Sequence, residues 1–431
     1  MSASIRASSI RRSQATGGFT LIEMLVAMLI SSFVLLGLLG IFDFTNKLAR
    51  AQTQITDVQQ SLRTAQYDVV RLVRMAGRGP LPLRTAGKTV PQGLAVEVVN
   101  NVAVDTKIGF ASGTGPAVVS FSDILVIRGV FGSALYQVNH VDPASFNRTA
   151  SGGSVVIADR TPSGVPHVLL PILQDICDAS NIPQALVLVS PLDDAIFAVV
   201  ELDATASRGG ITCPPDPDSV TSLTLAFNTS GGAHTSAYQS LSPGGAFPAA
   251  LTSVAYVGVL EEHRFYVREV YADPGDPSSE RVPRFSRARV FPGTDVPYLG
   301  DVLQWQNDIA DNIFDLQIAL GLDSNDDGVI LDSGDGNDEW LFNHPDDDVT
   351  QVRWNTVQPA AATPKDTRLY NLRLTTMART GNKDKGYQAP ALGLVEDHAY
   401  DTPPSSYYNS PQERTRRQRR LETLIDMRNL S

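Results

Sequence analysis

One carboxylate, Glu23, stands inside an otherwise apolar run. From Phe19 to Phe42 the other polar side chains are Thr20, Ser31 and Ser32. A carboxylate inside a membrane costs several kcal/mol, on the order of what a paired or neutralised group avoids. Glu23 therefore either meets a cation or sits at the interface and reaches water. A second set of oxygens lies at Asp323, Asn325 and Asp327, followed by Gly328, with Asp332 and Asp335 close behind. Oxygen ligands at alternate positions before a turn glycine make up the first part of an EF-hand-like calcium loop. Gly334 stands where such a loop carries its bidentate glutamate. Two readings stay open: a weak Ca2+ site, or an acidic, solvated turn. Cys177 and Cys213 lack CxxC spacing, which speaks against zinc; they either form one disulfide in an exported body or stay reduced. Arg414, Arg416, Arg417, Arg419 and Arg420 crowd the C-terminal end. They suit an anionic partner or, as the preferred reading, the acidic surface of the chain itself. Six histidines lie singly, with no HExxH, GxSxG, Walker A or strand-following GxGxxG pattern, so no motif supports an enzyme.

The elements that position these residues begin with the N-terminal run. Residues 1–18 carry Arg6, Arg11 and Arg12 and no acid, which marks a basic leader rather than a folded element. The segment from Phe19 to Phe42 would form a helix of about 36 Å at 1.5 Å per residue, enough to span a bilayer core. Arginines before it place its N-terminal end in the cytoplasm and the body outside. Neither proline nor glycine occurs from Ile41 to Ala76. Apolar residues recur at Leu48, Ile55, Val58, Leu62, Ala65, Val69, Val73 and Ala76, one stripe of an amphipathic helix. Gln52, Gln59, Gln66, Asp68 and Arg71 fall on its other faces. The spacing predicts one helix from Phe19 to about Met75, stopped by Gly77-Arg78-Gly79-Pro80.

A basic leader, then Gly-Phe-Thr-Leu-Ile-Glu, then an apolar helix, resembles the prepilin N-terminus of type IV pilins and type II secretion pseudopilins. The resemblance covers residues 11 to about 45. It implies that a prepilin peptidase cuts after Gly18 and methylates the new amine of Phe19. It also implies that Glu23 meets the N-terminal amine of a neighbouring subunit during assembly. Removal of the three leader arginines takes the formal charge from −11 to −14.

Beyond Pro80 short runs rich in Val, Ile and Phe alternate with Gly, Pro, Ser and Asp, at 118–130, 154–158, 185–190, 196–202 and 222–227. From about 253 the order becomes more specific. Strand-like sequence ends in Phe265-Tyr266-Val267-Arg268, RFSRARVF returns, FDLQIAL leads into the Asp-rich turn, TRLYNLRLTTMART follows, and the chain closes in Arg-Asn-Leu. This order resembles the minor pilin PilW family, over roughly 19–76 and 253–430; residues 81–250 have no match in it.

The sequence thus divides into a leader (1–18), a transmembrane half-helix (19–44), an amphipathic half-helix (45–77), a β-rich region without a match (81–252) and a β-rich PilW-like region (253–431). The expected class is α+β, a pilin-type helix carrying a β-rich head. The resemblance implies a minor pilin that helps initiate, assemble or cap a pilus. Its partners would be prepilin peptidase, other minor pilins, the major pilin and the inner membrane, and its head would lie in the periplasm. A minor pseudopilin and a pilus-tip adhesin are the competing readings. Net acidity argues against nucleic acid as a partner.

Overall fold

A computed structural model describes residues 20–79, 95–109, 114–132, 134–178, 184–193, 196–209, 220–294, 306–323, 329–331, 339–345, 353–354, 368–384, 386–401 and 405–427. The chain divides into two compact units, Met1–Ile55 and Thr56–Ser431. One α-helix, Leu21–Val73, contributes to both.

Within the first unit the helix is apolar on every side, and its side chains from Leu21 to Leu48 are exposed. It is long and apolar enough to cross a membrane. Some of its hydroxyls bond carbonyls of the preceding turn. Ser32 donates to the Met28 carbonyl at 2.8 Å and Thr53 to the Ala49 carbonyl at 3.1 Å. Charge resumes with the Lys47–Asp43 pair, one helical turn apart.

Within the second unit the helix becomes one-sided, as its spacing predicts. Val58, Leu62, Ala65, Val69, Leu72 and Val73 are buried, and they pack into a core with Val96, Leu125, Phe265, Ile318, Leu374 and Ile425. Gln66, placed by periodicity on a polar face, is buried as well. The helix ends where glycine permits a left-handed backbone: Gly77 has φ 72° and donates its N–H to the Arg128 carbonyl.

Among the described residues two main antiparallel sheets form the head. In the larger, the neighbours run Arg353–Trp354, Val96–Val99, Ile124–Gly129, Tyr256–Tyr271, Ala185–Val189, Phe197–Leu202, Ser222–Asn228, Gly152–Ala158 and Phe146–Arg148. Arg281–Val290 and then Gln306–Asp311 extend from the long strand Tyr256–Tyr271. The smaller sheet runs Trp340–Leu341, Ile313–Asp323, Arg368–Arg379 and Gln418–Asp426. The strand-like runs read from sequence become strands at 124–129, 152–158, 185–189, 197–202 and 222–228. The run at 118–130 is longer than its strand because Phe121, at φ 66°, turns the chain just before Ile124.

Tyr256–Tyr271 is a single strand of 16 residues with a divided role. Tyr256 to Leu260 pair with Ala185–Val189, whereas Glu261 to Phe265 pair with Ile124–Gly129 and Glu262 to Tyr271 with Arg281–Val290. The first part belongs to a second core, formed by Tyr136, Val155, Ile172, Leu173, Leu188, Val200, Leu225 and Val257. The region without a sequence match thus carries a core of its own, while its strands Val96–Val99 and Ile124–Gly129, paired with each other, contribute to the main core, and Ile124–Gly129 pairs with the second part of the long strand.

Candidate functional site

The start of the helix is built by Thr20 and Glu23. The Glu23 carboxylate accepts from the Thr20 backbone N–H and from the Thr20 hydroxyl, each at 2.9 Å. The Glu23 N–H donates back to the Thr20 hydroxyl at 3.4 Å. This is a capping box, in which two otherwise unbonded N–H groups of a helix start find partners. The acid also lies at the end of the helix where the macrodipole favours negative charge. Glu23 therefore has a local partner within a single chain. Thr-x-x-Glu before an apolar run is a sequence signature for this geometry. Gly18 and Phe19, the expected cleavage and methylation positions, lie outside the described residues.

Further along the helix, Gln66 is held in the head by both ends of its amide. Its Nε2 donates to the Leu421 carbonyl at 2.8 Å and to the Thr376 hydroxyl at 3.0 Å, while its Oε1 accepts from the Thr423 hydroxyl at 2.6 Å. Asp68 pairs with Arg287 at 2.9 Å. Both residues face the stripe that meets the sheets, so the polar side chains expected to be solvated act as fasteners.

The second half of the long strand carries charges into the interior. Glu262 and Arg264 are both buried, and Arg264 bonds Glu262 at 2.8 Å. Arg128 reaches Glu262 at 2.7 Å and Glu97 at 2.9 Å. Burial alone would raise the Glu262 carboxyl, but the Arg128 and Arg264 guanidiniums outweigh it and hold the group below its ordinary range. Arg268, the arginine of the Phe-Tyr-Val-Arg run, forms a two-pronged pair with Asp308 at 2.9 and 2.7 Å. Arg284 and Ser286 bind the same carboxylate. Partial burial pushes Asp308 up, and these bonds more than offset it, leaving the acid well below the usual carboxylate range.

Four of the five C-terminal arginines, Arg414, Arg416, Arg417 and Arg420, are engaged within the chain. Arg416 contacts Glu280, Glu413 and the Thr380 carbonyl; Arg417 pairs with Asp384 at 3.0 Å and lies over the Tyr387 ring; Arg414 donates to the Ala389 carbonyl. Arg420 pairs with Glu422. Arg419 is exposed. The segment is a strand, Gln418–Asp426, with these side chains fixing the turn before it.

Asn325, Asp327, Asp332 and Asp335 lie outside the described residues, and Asp323 ends the strand Ile313–Asp323. Among the described residues no group of three or more His, Cys, Asp or Glu side chains is placed to hold a metal ion. Cys177 is disulfide-bonded. Cys213, the chain's other cysteine, lies outside the described residues.

An apolar helix capped by Thr20 and Glu23 turns amphipathic and leads into a β-rich head, the α+β arrangement expected from the sequence. Residues 14–39 match the model of the prokaryotic N-terminal methylation motif. No curated protein matches the chain. Among solved structures it is similar to the type IV-like pilin TTHA1219 from Thermus thermophilus, at 14% identity over 61% of this chain and 95% of that one, with a TM-score of 0.18. A likeness at that level carries nothing over to this chain.

Proposed function

We propose that the chain is a minor type IV pilin of the PilW type, which primes, assembles or caps a pilus. The supporting observation is the methylation motif at residues 14–39 on a helix long and apolar enough to cross a membrane. In this reading prepilin peptidase cuts after Gly18 and methylates Phe19, the helix sits in the inner membrane and the head lies in the periplasm. Glu23 then exchanges its capping contact for the amine of a neighbouring subunit. The work is assembly with other minor pilins and the major pilin rather than catalysis.

Mass spectrometry of the protein recovered from membranes tests this. The mature chain should begin with N-methylated Phe19, and Gly18→Ala should leave a form about 18 residues longer. Co-purified proteins should be pilins of one pilus system. Recovery of Met1 or Ser2 at the mature terminus, in a host that has the peptidase, would overturn the reading. Co-purification with secretion-system pseudopilins alone would replace it with the pseudopilin reading.

A further inference from the structure

Within the second unit, the helix face opposite the buried stripe carries a run of positive charge. Arg63, Tyr67, Arg71 and Arg74 are all exposed, Tyr67 to 73%. At about 100° per residue the four fall within roughly 80° of the helix circumference and span about 16 Å along its axis. The Arg74 N–H still bonds the Val70 carbonyl at 3.1 Å, so the helical register holds to the last of them. Asp57 and Asp68, the acids of this stretch, lie roughly a quarter turn to one side. Asp68 is taken by Arg71 at 3.1 Å and Arg287 at 2.9 Å. Among the described residues the side chains of Arg63, Tyr67 and Arg74 have no hydrogen bond or ion pair. The chain as a whole carries a formal charge of −11, so a face of unpaired arginines stands against its general character. Arginine and tyrosine are also the residues enriched where protein surfaces meet.

A concave surface of the opposite sign lies elsewhere in the same unit. A cleft of about 820 Å³ opens between Ala117–Ser120, the end of the long strand Tyr256–Tyr271 with the turn that follows it, and the pair Tyr407 and Tyr408. Its acids are Asp105, Glu269 and Glu280, and Asp273 and Asp276 are exposed in the same turn as Glu280. The two bases that line it are drawn toward acids: Arg281 to Glu269 at 3.5 Å and Lys383 to the buried Glu413 at 4.0 Å. Among the described residues Asp105, Asp273 and Asp276 have no cationic partner. Tyr407, 52% exposed, adds an aromatic ring. No residue of the helix lines the cleft, so a single chain leaves both surfaces unmatched.

We propose that the Arg63–Tyr67–Arg71–Arg74 face of one copy docks against the acidic cleft of a second copy. The face is convex and positive, the cleft concave and negative, and each offers an exposed tyrosine. Guanidiniums against carboxylates set the register, and the rings supply apolar contact. The two surfaces are unlike, so the contact does not close on itself; each copy keeps a free helix face and a free cleft, and copies add in a row. Duplex DNA would suit the arginines alone, but the acidity of the rest of the chain repels phosphate. The contact is small, so its affinity is weak, on the order of 10 µM, and sensitive to salt. This association is independent of the pilin reading.

Sedimentation velocity of the full-length chain in detergent tests it. At about 0.05 M salt the chain should self-associate, and about 0.5 M salt should weaken association tenfold or more, because exposed charges are then screened. Arg63→Glu with Arg74→Glu should weaken it about tenfold, and so should Asp273→Arg with Asp276→Arg. Each double variant alone sets like charges against each other. Mixed in equal amounts, the two should associate again, since every contact between unlike variants is then attractive. Benzoylphenylalanine in place of Tyr67 should photocrosslink to residues 271–281 of a second copy. All four substituted side chains are exposed, and circular dichroism checks that the variants fold; if the aspartate variant does not, the arginine variant and the crosslink decide. A monomer at every salt concentration up to roughly 100 µM protein would overturn the proposal. So would association that neither salt nor the arginine variant weakens, or folded variants that stay apart when mixed. Binding of duplex DNA by the wild type that the arginine variant loses, without self-association, would assign the helix face to nucleic acid instead.

Discussion

At the scale of single residues, the structure shows one task for Glu23 and the proposed function adds a second. Its bonds with Thr20 start the helix; in the proposed assembly its charge would meet the amine of a neighbouring subunit. Thr20→Val removes the hydroxyl but keeps the carboxylate, at a cost of about 1 kcal/mol in helix stability. Glu23→Ala removes the charge and the carboxylate's half of the cap, keeping the backbone N–H of residue 23 on the Thr20 hydroxyl. Both variants should insert and be cleaved, since the helix remains apolar. In a deletion strain Thr20→Val should restore filaments and Glu23→Ala should not. Equal restoration by the two would mean that Glu23 serves capping alone. The motif Thr-x-x-Glu was present to be read at residues 20–23. The charge in an apolar run draws attention to membrane cost first, and the local hydrogen bonds emerge only when the backbone is helical.

Among the elements, the C-terminal strand Gln418–Asp426 is the one that the helix depends on most directly through polar contacts. Gln66 bonds Leu421 and Thr423 of that strand and Thr376 of its neighbour Arg368–Arg379. Gln66→Leu should fill the same space but take the amide away from the Leu421 carbonyl, the Thr376 hydroxyl and the Thr423 hydroxyl, of which Thr376 and Leu421 keep their bond to each other. The expected loss is about 2–3 kcal/mol, from orphaned buried groups of roughly 1–3 kcal/mol each. A denaturant titration of the full chain in detergent, followed by near-ultraviolet circular dichroism, measures it. A midpoint equal to the wild type's would show that the apolar stripe alone holds the helix. A 3.6-residue period placed Val58, Leu62, Ala65 and Val69 on one face, and these are buried. Gln66 sits directly beside Ala65, at the margin of that stripe. Polarity alone assigned it to solvent, and only the strand opposite it, more than 300 residues away in sequence, decided otherwise.

For the whole molecule, the buried charges give stability a dependence on pH with two opposing parts. Glu262 and Asp308 have lowered carboxyl values, held there by arginines that outweigh the effect of burial. Their stabilisation is present above the ordinary carboxylate range and is lost as pH falls through and below it. Asp397 runs the other way. Its value rises from 3.8 to about 6 through burial, so the unfolded chain gives up that proton first. Its cost is absent below about pH 4, grows as pH rises and is complete above about pH 6. The melting temperature of Asp397→Asn should therefore gain on the wild type as pH rises from about 4 to about 6. Both should collapse in stronger acid as the arginine-paired carboxylates are protonated. A gap that stays constant with pH would show that Asp397 is not held protonated in the fold.

The chemistry of the N-terminal segment was determined by sequence alone, because its signals are local. Charge before an apolar run, a glycine before Phe19 and a 3.6-residue period each act within a few neighbouring residues. The helix read as Phe19 to about Met75 is Leu21–Val73, and the strands from 152 onward sit where their β-branched runs lie. Tertiary structure decided what depends on residues brought together from far apart. The strand Tyr256–Tyr271 serves two cores, the C-terminal arginines meet acids at Glu280, Asp384 and Glu413, and Asn100, Asn101, Asp123 and Asp397 share one cluster. No spacing along the chain encodes those meetings. They follow from strand pairing, in which hydrogen bonds and buried area select partners hundreds of residues apart.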